Sequence, residues 1–436
     1  MAAARKEKAS MKVLVLGANG FIGSSVCRRL LADGHTVSGI GRNVVRASRM
    51  VPDVLWTQAD IARLRMPEDW RALIEGMEAI VNCAGALQDG ARDDLAALQD
   101  TAMRALYEAA KAEGVKKIVQ ISAPMDAAAD TPFLATKRAA DEALKASGLS
   151  HVILRPSLVV GRNAFGGTAL IRALAAFPWL TPLAYPQSRV ETVALDDVAD
   201  AVADALTGNI EPGSDLYLAG DSGPLEGLVG MHRAWLGLPP AHTIAVPAFI
   251  SGIVSRGADL LGYLGWRSPL RSTAMAVMAG GVTGSAHERT ERPLKSLTQI
   301  LQANPAGTQD LWAARLWLLK FPILATLPIF WIASGIITLM DVQGAADFME
   351  GFIGNIPMAR FYTVLAALLD IAIGLLALHA STARLALWAM ILVSVIYLVA
   401  ASLFTPWLWL DPLGALVKVV PQIVLAVVGL AVLRER

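Results

Sequence analysis

The chain has 436 residues, of which 55% are hydrophobic, and a formal net charge of +1; its mean hydropathy is +0.49. The near-neutral balance excludes the basic footprint of a nucleic-acid binder, so no nucleic-acid partner is expected. Two cysteines, Cys27 and Cys83, exclude a disulfide framework and a cysteine-based metal site; no metal ligand is assigned, and a reducing compartment fits.

The hydrophobic excess is unevenly spread. Residues 1–310 carry most of the charges and residues 312–433 carry few, which divides the chain into two parts of different solvent. The N-terminal MAAARKEKAS is short and polar and lacks the apolar stretch of a secretory signal, so the first part is expected to stay in the cytoplasm.

In chain order, residues 12–17 form a short apolar run ending at glycine, and an apolar-periodic stretch follows over 21–32. Further strand patterns fall at 35–40, 54–57, 78–83, 117–122 and 151–155, with helical patterns between them, notably 92–113 and 134–147. This alternation predicts an α/β fold whose parallel sheet is covered on both faces.

Between the first strand and helix lies Gly17-Ala18-Asn19-Gly20-Phe21-Ile22-Gly23. A glycine motif gains meaning in this setting, after a strand and at the opening of a helix. Gly17 and Gly20 allow a tight turn and close backbone approach, and Gly23 lets the helix pack against the strand. The helix N-terminus offers free N–H groups and a positive dipole end to a pyrophosphate. Gly17, Asn19, Gly20, Phe21, Ile22 and Gly23 are therefore expected against a dinucleotide. The second strand ends at Ile40-Gly41-Arg42, where NAD sites place an acid for the ribose 2′-hydroxyl. A guanidinium at Arg42, with Arg46 near it, suits a 2′-phosphate instead, so NADP(H) is favoured over NAD(H).

Taken with Asp60-Ile61, Asn82-Cys83-Ala84-Gly85, Ser122, Arg155-Pro156-Ser157 and Val193–Val198 in that order, the set resembles the extended and atypical branches of the short-chain dehydrogenase/reductase superfamily. It is most similar to the NmrA-like group and to the NADPH-binding accessory subunit of respiratory complex I. The resemblance covers about residues 11–285 and implies a Rossmann-type doubly wound sheet with a small substrate-side lobe. It implies that Asp60 and Ile61 meet the adenine and that Ala84 and Gly85 line the middle of the cofactor. Ser122 would lie beneath the nicotinamide and Pro156 would border it.

The superfamily's proton chemistry uses a Tyr-x-x-x-Lys pair, which i, i+4 spacing puts on one helix face. The lysine lowers the tyrosine pKa so that the phenol can transfer a proton at neutral pH. Here Lys137 stands at the lysine position and Phe133 at the tyrosine position. Lys137 and Ser122 are the remaining candidate catalytic residues. Cofactor binding through Lys137 is expected to survive, whereas proton delivery by the usual route is not.

Gly161–Gly167 forms a glycine-rich loop placed to border a pocket, and residues 242–262 and 267–281 are amphipathic with small residues, suited to covering the domain or lying on a membrane surface. Residues 286–311 are polar and read as a linker. Four apolar stretches follow within 312–436: Phe321–Met340, Tyr362–Leu378, Leu385–Phe404 and Leu413–Leu433. About 20 residues cross the ~30 Å hydrocarbon core, so all four can span. The block resembles a DoxX-like four-helix transmembrane module. Arg315, Lys320, Arg384, Arg434 and Arg436 mark one side and Asp341, Asp347, Glu350, Arg360 and Asp411 the other. The positive-inside rule then makes both termini cytoplasmic in a multi-pass inner-membrane protein. Trp407 and Trp409 suit an interfacial belt. Asp370 and Lys418 are expected to face the bundle interior, as a pair.

These observations converge on a membrane-anchored NAD(P)H-binding oxidoreductase whose acceptor is membrane-soluble, a quinone or a lipid-like carbonyl. The alternative is a non-catalytic NADPH-holding subunit of a larger membrane complex, to which Phe133 points.

Overall fold

The computed structural model describes residues 10–86, 89, 94–124, 131–266, 268–284, 287–412 and 414–433. Residues 1–9, Leu413, Arg434 and Arg436, used above for the terminus, the last span and the orientation, lie outside the described residues, as do positions 92–93 of the expected helix 92–113 and the side chain of Glu350. The chain divides into two compact units: Met1–Asp259 with Ser268–Leu311, and Leu260–Arg267 with Trp312–Arg436.

The first unit alternates strand and helix: β1 Lys12–Leu16, α1 Phe21–Ala32, β2 Thr36–Gly41, α2 Val44–Met50, β3 Leu55–Gln58, α3 Pro67–Ile74, β4 Ala79–Asn82, α4 Ala102–Ala112, β5 Lys117–Ile121, α5 Pro132–Ala146 and β6 His151–Pro156. The chain continues through β7 Leu158–Val160, α6 Gly167–Ala175, β8 Leu180–Leu183, β9 Arg189–Ala194, α7 Leu195–Thr207, β10 Asp215–Leu218, β11 Ser222–Pro224, α8 Leu225–Trp235, β12 His242–Ala245, α9 Ala248–Tyr263, α10 Ser272–Gly280, β13 Glu288–Arg289 and α11 Leu297–Ala303. The main sheet has the order β13-β10-β6-β5-β4-β1-β2-β3, and every pairing in it is parallel. Strands β7, β9 and β11 form a second small sheet, and β8 pairs with β12.

A parallel sheet buried on both faces needs strands that are apolar throughout, and their alternation then feeds two cores. Val13 and Val15 of β1, Val119 of β5 and Val152 and Leu154 of β6 join a core with Val26 and Leu30 of α1 and Val198 and Val202 of α7. Leu14 and Leu16, Ile118 and Ile153 point the other way, to Trp70, Met103, Leu106 and Leu144 of α3, α4 and α5. Strand order reverses at β1, which has β2 on one side and β4 on the other. The crevice beyond the carboxyl ends of β1 and β4 is therefore the place where such a sheet binds a ligand.

The stretch 286–311, read as a linker from its polarity, belongs to this unit. Strand β13 extends the main sheet beside β10, and α11 buries Leu297, Ile300 and Leu301. A three-residue apolar stripe suffices for a short helix, and the surrounding polar residues masked it.

The second unit contains α12 Thr308–Met340 from Trp312 onward, α13 Val342–Ile353, α14 Ile356–Leu378, α15 Ala383–Phe404 and α16 Val419–Val432. Three of these helices, α12, α14 and α15, are long and apolar enough to cross a membrane. The fourth expected span is shorter than its apolar run. Helix α16 holds 14 residues, about 21 Å at the α-helical rise, because the chain before Lys418 does not become helical. The expected Asp370–Lys418 pair is not formed among the described residues. Asp370 instead accepts a bond from the Tyr397 hydroxyl at 3.5 Å and meets Ser334, while Lys418 is exposed just before α16.

Small residues let the helices of the bundle approach closely, alongside a buried cluster of Leu327, Trp331, Ile373, Leu387 and Met390. Ile337 is 66% exposed and Leu403 71%, whereas Ala367, Ala386 and Ala426 are buried. A Cβ on Gly335 would lie 2.4 Å from the Ala367 carbonyl oxygen, and one on Gly374 2.6 Å from Ile332. Gly335→Val therefore forces α12 away from α14 and should cost about 1–3 kcal/mol of bundle stability. Thermal unfolding of the full chain in detergent should show this loss, with Ile337→Val unchanged as the control.

Candidate functional site

The loop after β1 is shaped by backbone contacts that leave no room for side chains. Gly17 has φ +67, and a Cβ there would stand 2.8 Å from the Cys83 carbonyl oxygen. The Gly20 N–H donates to the Gly17 carbonyl at 2.8 Å. A Cβ on Gly23 would fall 2.1 Å from that same oxygen. The first turn of α1 is thus pressed onto the strand end. Among the described residues no side chain caps α1, whose N-cap is Gly20, and no acid stands in its first turn. An uncapped helix start with open N–H groups fits a pyrophosphate. Asn19 and Gly20 are exposed on this turn, and Phe21 and Ile22 are half-buried at the start of α1. Phe21 stacks on Phe165 with ring centroids 5.8 Å apart.

At one end of the crevice, strands β2 and β3 run in register through Gly41 and Gln58. They carry Arg42 and Asp60 to neighbouring positions on the same edge. Arg42 is exposed there, and Asn43 caps α2 by accepting from the Arg46 N–H at 3.0 Å. Asp60 caps the short turn Ile61–Arg63, accepting from the Ala62 N–H at 3.3 Å, and Ile61 is buried beneath it. The structure therefore brings the glycine loop, Arg42, Asp60 and Ile61 to one rim.

At the other end, the carboxyl ends of β4, β5 and β6 place Ala84, Gly85, Ser122 and Pro156 together. Asn82 fixes the turn after β4: its Oδ1 accepts from the Ala84 N–H at 2.9 Å and its amide donates to Gln120 at 2.9 Å. Lys137 is buried at 6% exposure. Its ammonium donates to the Ala84 carbonyl at 3.2 Å and the Ile121 carbonyl at 3.0 Å. A Cβ on Gly85 would sit 3.4 Å from Lys137 Nζ, so the lysine underlies the crevice at this point. Burial holds its ammonium below the usual lysine range, against the pull of Asp141.

The Ser122 hydroxyl is directed into the protein. It donates to Asp141 Oδ2 at 2.5 Å, and Arg155 reaches both Ser122 Oγ at 3.2 Å and Asp141 Oδ2 at 2.9 Å. Arg155 also forks onto Asp215 at 2.6 and 2.9 Å, which Lys145 meets at 2.7 Å. Phe133, half-buried, lies one helical turn before Lys137. The nearby Thr136 hydroxyl donates into its own helix, to the carbonyls of Pro132 and Phe133 at 2.9 and 3.1 Å. None of these groups presents a free proton to the crevice in this arrangement.

Two residues of this end were not singled out from sequence. Gln99 lies in a π-helical turn, Ala97–Thr101, of the kind that often marks functional sites. Its amide donates to the Ala86 carbonyl at 2.7 Å while its Oε1 is buried without a partner among the described residues, 3.7 Å from where a Gly85 Cβ would be. Asp141 was visible only as the residue four beyond Lys137; its real partner, Arg155, comes from the next strand. The one available signal was a charged residue inside the apolar strand HVILRP, which a buried position allows only with a partner.

A cleft of about 400 Å³ opens between α1, the loop after β7 and the start of α7, lined by Phe21, Ser24, Gly161, Arg162 and Leu195 among others. The Gly161–Gly167 loop thus borders a pocket, and Arg162 is occupied there by Asp310 at 2.5 Å. Among the described residues no cluster could hold a metal ion. Burial pushes the Cys27 thiol up to about 12, and that of Cys83 rises too.

Asp141→Ala leaves the Ser122 hydroxyl and one arm of Arg155 without their carboxylate while Asp215 still holds the guanidinium, and should destabilise the first unit by about 1–3 kcal/mol in denaturant unfolding of the full chain. Glu113→Ala, at an ion pair whose arginine partner is 67% exposed, should cost about 1 kcal/mol or less.

Comparison with known proteins follows the same division. A family described as NAD(P)H-binding matches residues 17–209, and the DoxX-like family matches residues 328–427. The chain is similar to a ceramide reductase of Caulobacter vibrioides, 27% identical over 43% of this chain and 58% of that protein. It thus spans little more than half the length of that relative. It is also similar to the uncharacterized sugar epimerase YhfK of Bacillus subtilis, 30% identical over 34% of this chain and 71% of that protein. Among solved structures, a triphenylmethane reductase of Citrobacter sp. complexed with NADP(H) shares the fold. Its TM-score is 0.51 at 18% identity, covering 67% of this chain and 99% of that one. The chain belongs to the NAD(P)H-binding, epimerase-like short-chain dehydrogenase/reductase family, joined in one polypeptide to a DoxX-like helical domain.

Proposed function

We propose that this protein is a membrane-anchored reductase that holds NADP(H) at the crevice beyond β1 and β4 and reduces a lipid-like carbonyl or quinone taken from the bilayer. The observation that carries the reading is the fusion itself: a dinucleotide crevice with an uncapped helix N-terminus shares its chain with three helices long enough to cross a membrane. The similarity to a ceramide reductase supports a lipid substrate. The exposed Arg42 supports NADP(H) over NAD(H), through charge-assisted bonds to a 2′-phosphate. The cationic flanks Arg315, Lys320 and Arg384 support a cytoplasmic first unit and multi-pass insertion in the inner membrane.

When bound, the dinucleotide supplies a hydride. The residues of this chain hold and orient it. Gly17, Asn19, Gly20, Phe21, Ile22 and Gly23 take the pyrophosphate, and Asp60 and Ile61 border the adenine. Ala84, Gly85 and Pro156 would border the reacting end, and Lys137 would donate to its ribose. Ser122 keeps Asp141 and Arg155 in place behind that end. With Phe133 in place of a phenol, the proton that completes a carbonyl reduction comes from water or from the acceptor's own surroundings.

Phe133 and the inward-turned Ser122 favour a second reading, in which the dinucleotide is a structural or sensing ligand of a membrane complex and no turnover occurs. The two readings separate in one assay. Full-length protein in nanodiscs should oxidise NADPH in a one-to-one ratio with an added short-chain quinone or a ceramide-like ketone. Tight NADPH never consumed by any such acceptor would overturn the reductase and favour the structural role. Arg42→Ala should weaken NADPH by about 1.5–3 kcal/mol, roughly 10- to 150-fold, and leave NADH unchanged. Equal loss for both dinucleotides would remove Arg42 from the 2′-phosphate. Phe133→Tyr should raise turnover with a soluble aldehyde if the rest of the site is intact, and an unchanged rate would show that it is not.

A further inference from the structure

Helix α9 has its burial inverted. It buries Ser251, Ser255, Ala258 and Gly262, at spacings of four, three and four, so its inward stripe is made of small and hydroxyl-bearing residues. Its outward side carries the bulk: Phe249 is 69% exposed, Ile253 66%, Leu260 67% and Tyr263 75%, with Ile250 and Val254 alongside. Phe249, Ile253, Leu260 and Tyr263 recur at helical spacing on one face, which also carries Arg256 one turn after Ile253. A helix folded for water has the opposite pattern, and six bulky apolar side chains on one face exceed the scattered exposure of ordinary surfaces.

The turn that ends this helix says what the stripe faces. The Trp266 indole donates to the carbonyl of Leu378 at 2.7 Å, and the Ala380 N–H donates to the carbonyl of Leu264 at 2.9 Å. Leu378 is the last residue of α14, a helix long and apolar enough to cross a membrane. The C-terminal end of α9 is therefore tied to the point where a span leaves the hydrocarbon. Tyr263 and Trp266 at that point are the residue types that settle at headgroup level. Arg256 is exposed within the stripe, between Ile253 and Leu260, where its long stem can carry the guanidinium to the headgroups of an anionic leaflet, and the one acid of the helix, Asp259, is occupied by Arg271 at 3.1 Å.

We propose that α9 is an interfacial helix whose Phe249–Ile253–Leu260–Tyr263 stripe lies in the lipid surface, a second membrane contact besides the spans. The test uses the full chain in nanodiscs, with an environment-sensitive NBD label on Phe249→Cys, Ile253→Cys or Leu260→Cys. Arg49→Cys, on α2, serves as the control, and Cys27 and Cys83 are replaced by serine. An interfacial helix lies about 5–10 Å into the headgroup–acyl boundary. Lipids brominated high on the acyl chain should therefore quench the stripe labels roughly twofold or more while sparing the control. Stripe labels that bromolipids leave unquenched overturn the proposal. If they are shielded yet unquenched, and the shielding fades as protein is diluted into lipid, a second copy of the chain covers the stripe instead. Hydrogen exchange of unlabelled protein guards against misfolded variants. Peptide 248–263 should exchange more slowly in nanodiscs than in mild detergent, and equal rates would count against a lipid seat. Neither readout depends on turnover, so a failed reductase assay leaves this result interpretable.

Discussion

The first unit depends on one backbone contact, the packing of Gly23 against the carbonyl of Gly17 at the end of the central strand. A Cβ at position 23 would lie 2.1 Å from that oxygen. Because it is absent, the first turn of α1 closes directly on the strand end and its N–H groups point over the switch in strand order. From that contact follow the uncapped helix start, the approach of Gly17 to the Cys83 carbonyl, and the crevice itself. The arrangement is electrostatic without any charged side chain, since partial charges on the peptide groups do the attracting.

The far end of the crevice is organised by full charges instead. Lys145, Asp215, Arg155 and Asp141 alternate in sign, and Ser122 closes the chain at Asp141. Buried ions are costly unless paired and hydrogen-bonded, and here each carboxylate meets two donors. Lys137 is the exception. It rests on two backbone carbonyls, so its charge is met by dipoles. Where a phenol would stand in the family, the structure has a ring without a proton.

What could be read from the sequence was what depends on short range. The strands were legible because a parallel sheet buried on both faces writes continuous apolar runs such as KVLVL and HVILR. The glycine loop was legible because its meaning lies in a seven-residue context. The ion chain was not: Arg155 and Asp215 are 60 residues apart, and only the folded sheet places β10 beside β6. The stretch 286–311 misled because three apolar residues in a polar run are enough for α11 once a surface awaits them. The last apolar run misled in the opposite way. Hydropathy continues through Leu416 and Val417, but helix begins only after Lys418, so a span-length run holds a helix of 14 residues. For α9 the residue pattern was visible, but which of its faces looked outward was not, because both faces contain residues that a core accepts.

The two cysteines have a consequence for the chemistry this chain endures. Burial pushes the Cys27 thiol well above the usual cysteine range, which keeps it out of the thiolate form that reacts with peroxide and electrophiles. Cys83, just beyond β4 at the crevice, is shifted in the same direction. Sulfur in this unit is thus held as the neutral thiol, the form least open to oxidation.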